Sequence, residues 1–331
     1  MRPALDLFFP PTDEQLRFAK QIGVDDVVLF TTSIEKVEEL SFKNLIAIRN
    51  RVEDAGLNLF SIETLPAHFN DKIMLGKAGK MEQIKQYQEI IDNIGRAGIR
   101  HHSYNWMPTG VWRTTYSNRL RGGAKGIAFD EKDITNAPLS FDRAYEEEEI
   151  WDNYSLFITE IMPVAEAINV KVSVHPNDPP IPNVGGVAQL FRNQENFDRA
   201  MNIYPSEHHG LTFCLGGWSA MGRGKDIETV IRHYGSKIHY VHFQSSNGTV
   251  PYFAENFVDK ADYNPFGVMK ALKEIDFQGI MIPGHVPQLD GDSEWRNTYT
   301  VANPRYVHPM GGHQARAYTI GFIKGLIAAI E

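Results

Sequence analysis

Short apolar runs alternate with longer amphipathic stretches along the whole chain, the rhythm of a parallel sheet whose strands are joined by crossover helices. The pattern predicts strands at residues 4–9, 26–30, 57–62, 99–106, 170–175, 210–214, 238–243 and 279–283. Helices are predicted after each of them, at 12–21, 41–55, 80–98, 145–168, 187–202, 226–234, 265–275 and 311–330. A doubly wound sheet produces the same alternation, but eight strand–helix units favour closure into a (β/α)₈ TIM barrel. Boundary chemistry supports the reading. Thr12 and Gln15 form a capping-box pattern, and Gly56 and Gly98 stand where a left-handed residue ends a helix.

Two stretches break the rhythm, at 108–142 and 287–309. In a barrel both overhang the C-terminal face, so they are expected to be active-site walls. No internal repeat or interdomain linker is visible, and residues 1–331 read as one barrel domain, elaborated beyond the roughly 250 residues a barrel needs. The net charge of −8 argues against a nucleic-acid or anionic-membrane partner, which would select clustered Lys and Arg. A small substrate is expected. No apolar run reaches the roughly 18 residues of a membrane span. Cys214 is the only cysteine, which rules out an internal disulfide, and Met1 to Pro10 is too short for a signal-peptide core. The chain reads as cytoplasmic.

The lone thiol therefore needs another explanation. Val172-Ser-Val-His175, Leu211-Thr-Phe-Cys214 and Tyr240-Val-His242 place a metal-capable side chain at the end of each of three consecutive strands. Neighbouring barrel strands end side by side, so His175, Cys214 and His242 are expected to converge on one divalent ion, with His285 after the eighth strand as a fourth donor. Two imidazoles and a thiolate suit zinc, iron, cobalt or manganese, and open positions make such a site catalytic. Each residue alone has a plainer reading, a hydrogen-bonded histidine or a buried thiol. Three at matching positions favour the metal.

Other candidates surround that point. His175-Pro-Asn-Asp-Pro-Pro180 is a stiff segment in which Asp178 could bind a substrate hydroxyl, orient a ligand histidine or stabilise the turn. Tyr104 and Asn105 end the fourth strand as polar groups beside the apolar Trp106 and Met107. Arg113 lies on the following loop with Arg119 and Arg121, and a guanidinium above a metal suits a carboxylate. Tyr318, on the last helix, could enter the mouth as an acid or base or simply pack. The run Glu146–Glu149 reads as a solvated first helical turn. Leu215-Gly-Gly-Trp-Ser and Gly222-Arg-Gly224 match no dinucleotide or P-loop spacing.

Taken in order, Ser103-Tyr-Asn-Trp-Met-Pro108, Trp112-Arg113, Met162-Pro-Val-Ala-Glu166, His175-Pro-Asn-Asp-Pro-Pro180, Thr212-Phe-Cys214, His242-Phe-Gln-Ser245 and Tyr318-Thr-Ile-Gly-Phe-Ile-Lys-Gly-Leu326 resemble the D-mannonate dehydratases. The resemblance runs through nearly the whole chain. It implies a xylose-isomerase-like barrel, a manganese or related divalent ion, and a lyase converting D-mannonate to 2-keto-3-deoxy-D-gluconate and water in hexuronate catabolism. It further implies metal ligation by His175, Cys214 and His242, an acid or base role for Tyr318, substrate contacts from Tyr104, Asn105 and Arg113, and a homo-oligomer, dimer or higher.

This chain departs from the family pattern after the last strand, reading Ile282-Pro-Gly-His285 where an arginine–proline–aspartate stretch is usual, so that Gly284 replaces an acidic ligand. Gln244 replaces an arginine, Asn177 an aspartate, and Leu215-Gly-Gly-Trp218 a threonine–glycine–serine type of turn; a helical insertion before the fifth strand is short or absent. These changes suggest a substrate less acidic than mannonate, or one held differently. His285 then stands as fourth ligand or as proton carrier. The rival readings are a divalent-metal sugar isomerase or epimerase working through an enediolate, and a noncatalytic sugar-sensing barrel.

Overall fold

Buried apolar runs pair in parallel around a complete circle. The structure, a computed structural model, describes residues 1–292 and 311–331. Its eight barrel strands are Arg2–Phe8, Asp26–Phe30, Asn58–Glu63, His101–Asn105, Lys171–His175, His209–Cys214, Ile238–His242 and Ile280–Ile282, in spatial order of sequence. The circle closes through Arg2↔Ile280 and Pro3↔Met281. Each strand is followed by a helix, from Asp13–Gln21 to His313–Ile330. Among the described residues no helix is long and apolar enough to cross a membrane.

The predicted strands and helices are all present, and local chemistry sets their ends. Thr12 and Gln15 form the reciprocal capping box, at 3.2 and 3.0 Å. Gly56 and Gly98 adopt φ of +75° and +82° just past their helices, a conformation that disfavours any Cβ. The helix expected from residue 187 begins only at Gln194, capped by the Asn193 side chain. Val187–Ala188 instead forms a short hairpin with Asn183–Val184, turned by Gly185 and Gly186 with positive φ.

The stretch 108–142, expected as an active-site wall, contains regular structure. Thr115–Arg119 and Lys125–Asp130 join a hairpin of Ser245–Thr249 and Tyr252–Asn256, placed after the seventh barrel strand, in a four-stranded antiparallel sheet. Lys125–Asp130 buries Gly126 to Phe129, and Phe129 packs with Phe253 in a small core of its own. Of the other expected wall, 287–309, positions 293–309 lie outside the described residues.

Period-two alternation sorts the barrel residues onto two faces. His101 bonds Ser61 at 2.8 Å and Ser173 at 2.9 Å, while Thr212 bonds both Ser103 and Ser173 at 2.7 Å, forming a polar layer inside the barrel. His102 and Tyr104 point outward, to Tyr87 and Tyr154 of the surrounding helices. Burial pushes the pKa of His101 down to about 3, and those of His102 and His209 down to about 4. These imidazoles are neutral in the fold but carry the ordinary value of about 6.5 once unfolded. Above pH 6.5 they cost nothing. Below it the unfolded chain takes up protons that the native state refuses, on the order of 2 kcal/mol per imidazole at pH 5. His285, whose pKa is raised, works in the opposite direction but is a single group. Thermal unfolding is therefore expected at a clearly lower midpoint at pH 5 than at pH 7.5; an equal or higher midpoint at pH 5 contradicts this reading.

Candidate metal centre

Three strand ends build the site. Cys214 and His242 are register partners of the sixth and seventh strands, and alternation turns Ser173 with His175, Thr212 with Cys214, and Tyr240 with His242 to the inner face. One ligand atom from each of His175, Cys214 and His242 lies within 4.8 Å of the others, and the two imidazole centroids are 4.9 Å apart. The convergence expected from the sequence is thus present.

The environment of each donor suits a cation. His175 donates from Nδ1 to the Pro176 carbonyl at 2.7 Å, which leaves Nε2 with the lone pair; burial, helped by His242, lowers its pKa to about 4 and keeps it neutral. Burial pushes the Cys214 thiol up to about 12, so its thiolate needs a cation to form. The Gly217 N–H points at that sulfur from 3.4 Å. His242 Nε2 is 3.1 Å from Glu63 Oε1 and 2.9 Å from the Tyr240 hydroxyl, which itself donates to Glu63 Oε2 at 2.6 Å. Burial works to raise the Glu63 pKa, but His242 and Tyr240 outweigh it and hold the carboxyl below its usual range. Two imidazoles and an ionisable thiol beside a buried carboxylate fit a divalent transition ion.

Sequence reasoning missed Glu63. The signal was there: Leu59-Phe-Ser-Ile-Glu63 ends an apolar strand on an acid, the same strand-end position that marked the three donors.

His285 does not complete this set. Its Nδ1 is 2.7 Å from Glu255 Oε1, and it forms a second group with Asp178 and Glu255, not one with His175, Cys214 and His242. Arg113 fills that second group. Its side chain is fully buried, with Nη1 and Nη2 on the two Asp178 oxygens at 2.7 and 2.6 Å and Nη2 on Glu255 Oε1 at 2.5 Å. The sequence offered Arg113 and Asp178 to the substrate, but the structure pairs them with each other. Both carboxylates are held below their usual range despite burial, and His285 is held above its own because Glu255 outweighs the cost of burial. Glu255, from the accessory sheet, was also missed.

Gln244 and Gly284 form one local solution. Gln244 Oε1 accepts from the His285 N–H at 3.1 Å, and a Cβ on Gly284, whose φ is +65°, would stand 2.9 Å from that oxygen. Position 284 therefore sends no side chain toward the three donors. Asn177 is structural, because it donates to the Trp106 carbonyl and accepts from the Phe191 N–H, a pair of roles that a carboxylate cannot fill.

Of the remaining candidates, Asn105 stays at the mouth. It is the register partner of His175, its Nδ2 reaches Thr64 at 3.3 Å, and its buried Oδ1 has no partner. It borders a cleft of about 460 Å³ between the ends of the second, third and fourth barrel strands, with Thr32, Glu35, Thr64 and His68 on its walls. Tyr104 leaves the site: one residue earlier on the strand, it faces outward and its hydroxyl meets Tyr154 at 3.0 Å. Tyr318 is 42% exposed, and its hydroxyl accepts from Arg121 at 3.2 Å beside Phe257. The structure does not bring it to the three donors.

Comparison with known proteins agrees with this geometry. The family model for D-mannonate dehydratase (UxuA) matches residues 8–143 and 137–331. Mannonate dehydratase 2 of Halalkalibacterium halodurans is 29% identical over 322 residues, covering 88% of this chain and 92% of the relative. The crystal structure of mannonate dehydratase from Streptococcus suis serotype 2 superposes with a TM-score of 0.87 at 27% identity, over 99% of this chain and 93% of the other. A D-psicose 3-epimerase structure shares the fold at 11% identity and a TM-score of 0.63, over 99% of each chain. With both halves of its sequence matched by that model, the chain belongs to the D-mannonate dehydratase family.

Proposed function

We propose that this protein is a metal-dependent sugar-acid dehydratase that converts D-mannonate to 2-keto-3-deoxy-D-gluconate and water. The observation that carries the reading is the convergence of His175, Cys214 and His242 within 4.8 Å at the barrel mouth. A divalent ion held there, manganese in this reading, supplies Lewis acidity that polarises the oxygens of a bound sugar acid and so acidifies the adjacent C–H bond. Among the described residues three side chains would hold it, which would leave open positions for substrate oxygens.

The chain's own residues supply the rest. The reaction removes the C2 proton and the C3 hydroxyl, and the enol formed becomes the keto acid. The departing hydroxyl needs a proton. His285, held at Nδ1 by Glu255, is the group we assign to take the C2 proton and deliver it to that hydroxyl, so that both leave as water. Asn105, with its unpartnered Oδ1, receives a substrate hydroxyl, and the cleft beyond it takes the remainder of the polyol. Tyr318 is assigned to the rim. A homo-oligomeric assembly and a cytoplasmic location complete the reading.

The test is direct. Purified protein with Mn²⁺ and D-mannonate is expected to form a 2-keto-3-deoxy acid at about 1 s⁻¹ or faster. A panel of other hexonates, aldoses and ketoses is run alongside. Isomer interconversion without keto-acid formation overturns the dehydratase reading in favour of an isomerase. Turnover of another hexonate alone keeps the reaction and replaces the substrate.

A further inference from the structure

Glu63 is 1% exposed, with its carboxylate inside the barrel. A buried carboxylate is unfavourable unless something balances its charge. The other buried acids near the mouth have such a partner: Asp6 pairs with Arg316, while Asp178 and Glu255 share Arg113. Asp292 receives three backbone N–H groups at the start of the last helix. Among the described residues no lysine or arginine pairs with Glu63. Its side-chain partners are the Tyr240 hydroxyl and His242 Nε2, and that imidazole carries one of the three converging donor atoms.

We propose that Glu63, braced by Tyr240, is the positioning residue of the metal centre: together with the Tyr240 hydroxyl it holds the Nε2–H of His242, and it supplies the negative charge that the ligand set lacks. Accepting that proton fixes the tautomer and leaves Nδ1 as the lone-pair nitrogen. Pro176 does the reverse for His175, so the two imidazoles offer opposite nitrogens. The charge count agrees. A divalent ion with one thiolate and two neutral imidazoles carries a net positive charge, and a carboxylate behind His242 cancels it. With glycine at 284, no ligand from that position does so.

The inference rests on the metal-centre reading, and its test separates the two. Mn²⁺ affinity is measured by competition with a chelator for wild type, Glu63→Gln and Tyr240→Phe, together with the unfolding midpoint of each metal-free protein. Wild type is expected to bind one ion per chain. Glu63→Gln is expected to bind it 10- to 100-fold more weakly while still folding without metal. A residue that mattered only for packing would lower the midpoint and leave affinity unchanged. Tyr240→Phe is expected to bind several-fold more weakly, and serves alone if Glu63→Gln does not fold. Wild-type protein that binds no ion overturns the metal centre itself. Wild type that binds while both variants stay within twofold of it overturns the role of Glu63.

Discussion

Cys214→Ser is expected to lose its bound ion at micromolar metal and to drop at least about 10³-fold in kcat/KM, roughly 4 kcal/mol of transition-state stabilisation. Charge is the reason. Burial holds the Cys214 thiol at about 12 in the metal-free protein, so the thiolate forms only as the ion arrives. A serine hydroxyl is a far weaker acid, and it offers a harder, neutral donor in place of the one anionic ligand. The fold should barely notice. The Gly217 N–H that meets the sulfur at 3.4 Å finds an acceptor in the serine oxygen, and the unfolding midpoint of metal-free protein should stay within a few degrees of wild type. Metal content by mass spectrometry, read beside steady-state kinetics, checks both halves. Retained metal with more than a tenth of wild-type activity contradicts the assignment.

Arg113→Ala is expected to destabilise the protein by about 3–5 kcal/mol, the cost of leaving buried carboxylates without their cation. Asp178 and Glu255 both depend on this guanidinium, and Glu255 also ties the accessory sheet to the barrel through His285. Chemical denaturation measures the loss. Arg113→Lys keeps the charge but not the two-pronged contact with Asp178, and falls between. A change under about 1 kcal/mol for Arg113→Ala would show that the cluster is solvated and that Arg113 is free to meet a substrate, as the sequence suggested.

Those two residues differ in how far local sequence pattern could place them. Cys214 was legible because the position of a strand end is local: alternation and the closing helix fix it within a residue or two, and barrel geometry brings neighbouring ends together. The eight strands and eight helices followed from the same local periodicity. Arg113 was misread because its partners lie 65 and 142 positions away, and no local pattern says that a loop arginine will turn inward. The antiparallel sheet was hidden for a related reason. Thr115–Arg119 is half-exposed and polar, and its partner Lys125–Asp130 pairs in turn with a strand more than 100 residues later. Tyr104 is different. Alternation already places it on the opposite face from Asn105, a signal that a strand-end polar residue does not cancel.

The proposed chemistry needs a single cation held by side chains from three neighbouring strands. Crystals grown with Mn²⁺, with data collected at the manganese absorption edge, test it most directly. One anomalous peak bonded to His175 Nε2, Cys214 Sγ and the His242 imidazole is the expected result. No peak at that point, or a peak lodged between Asp178, Glu255 and His285 instead, would contradict it.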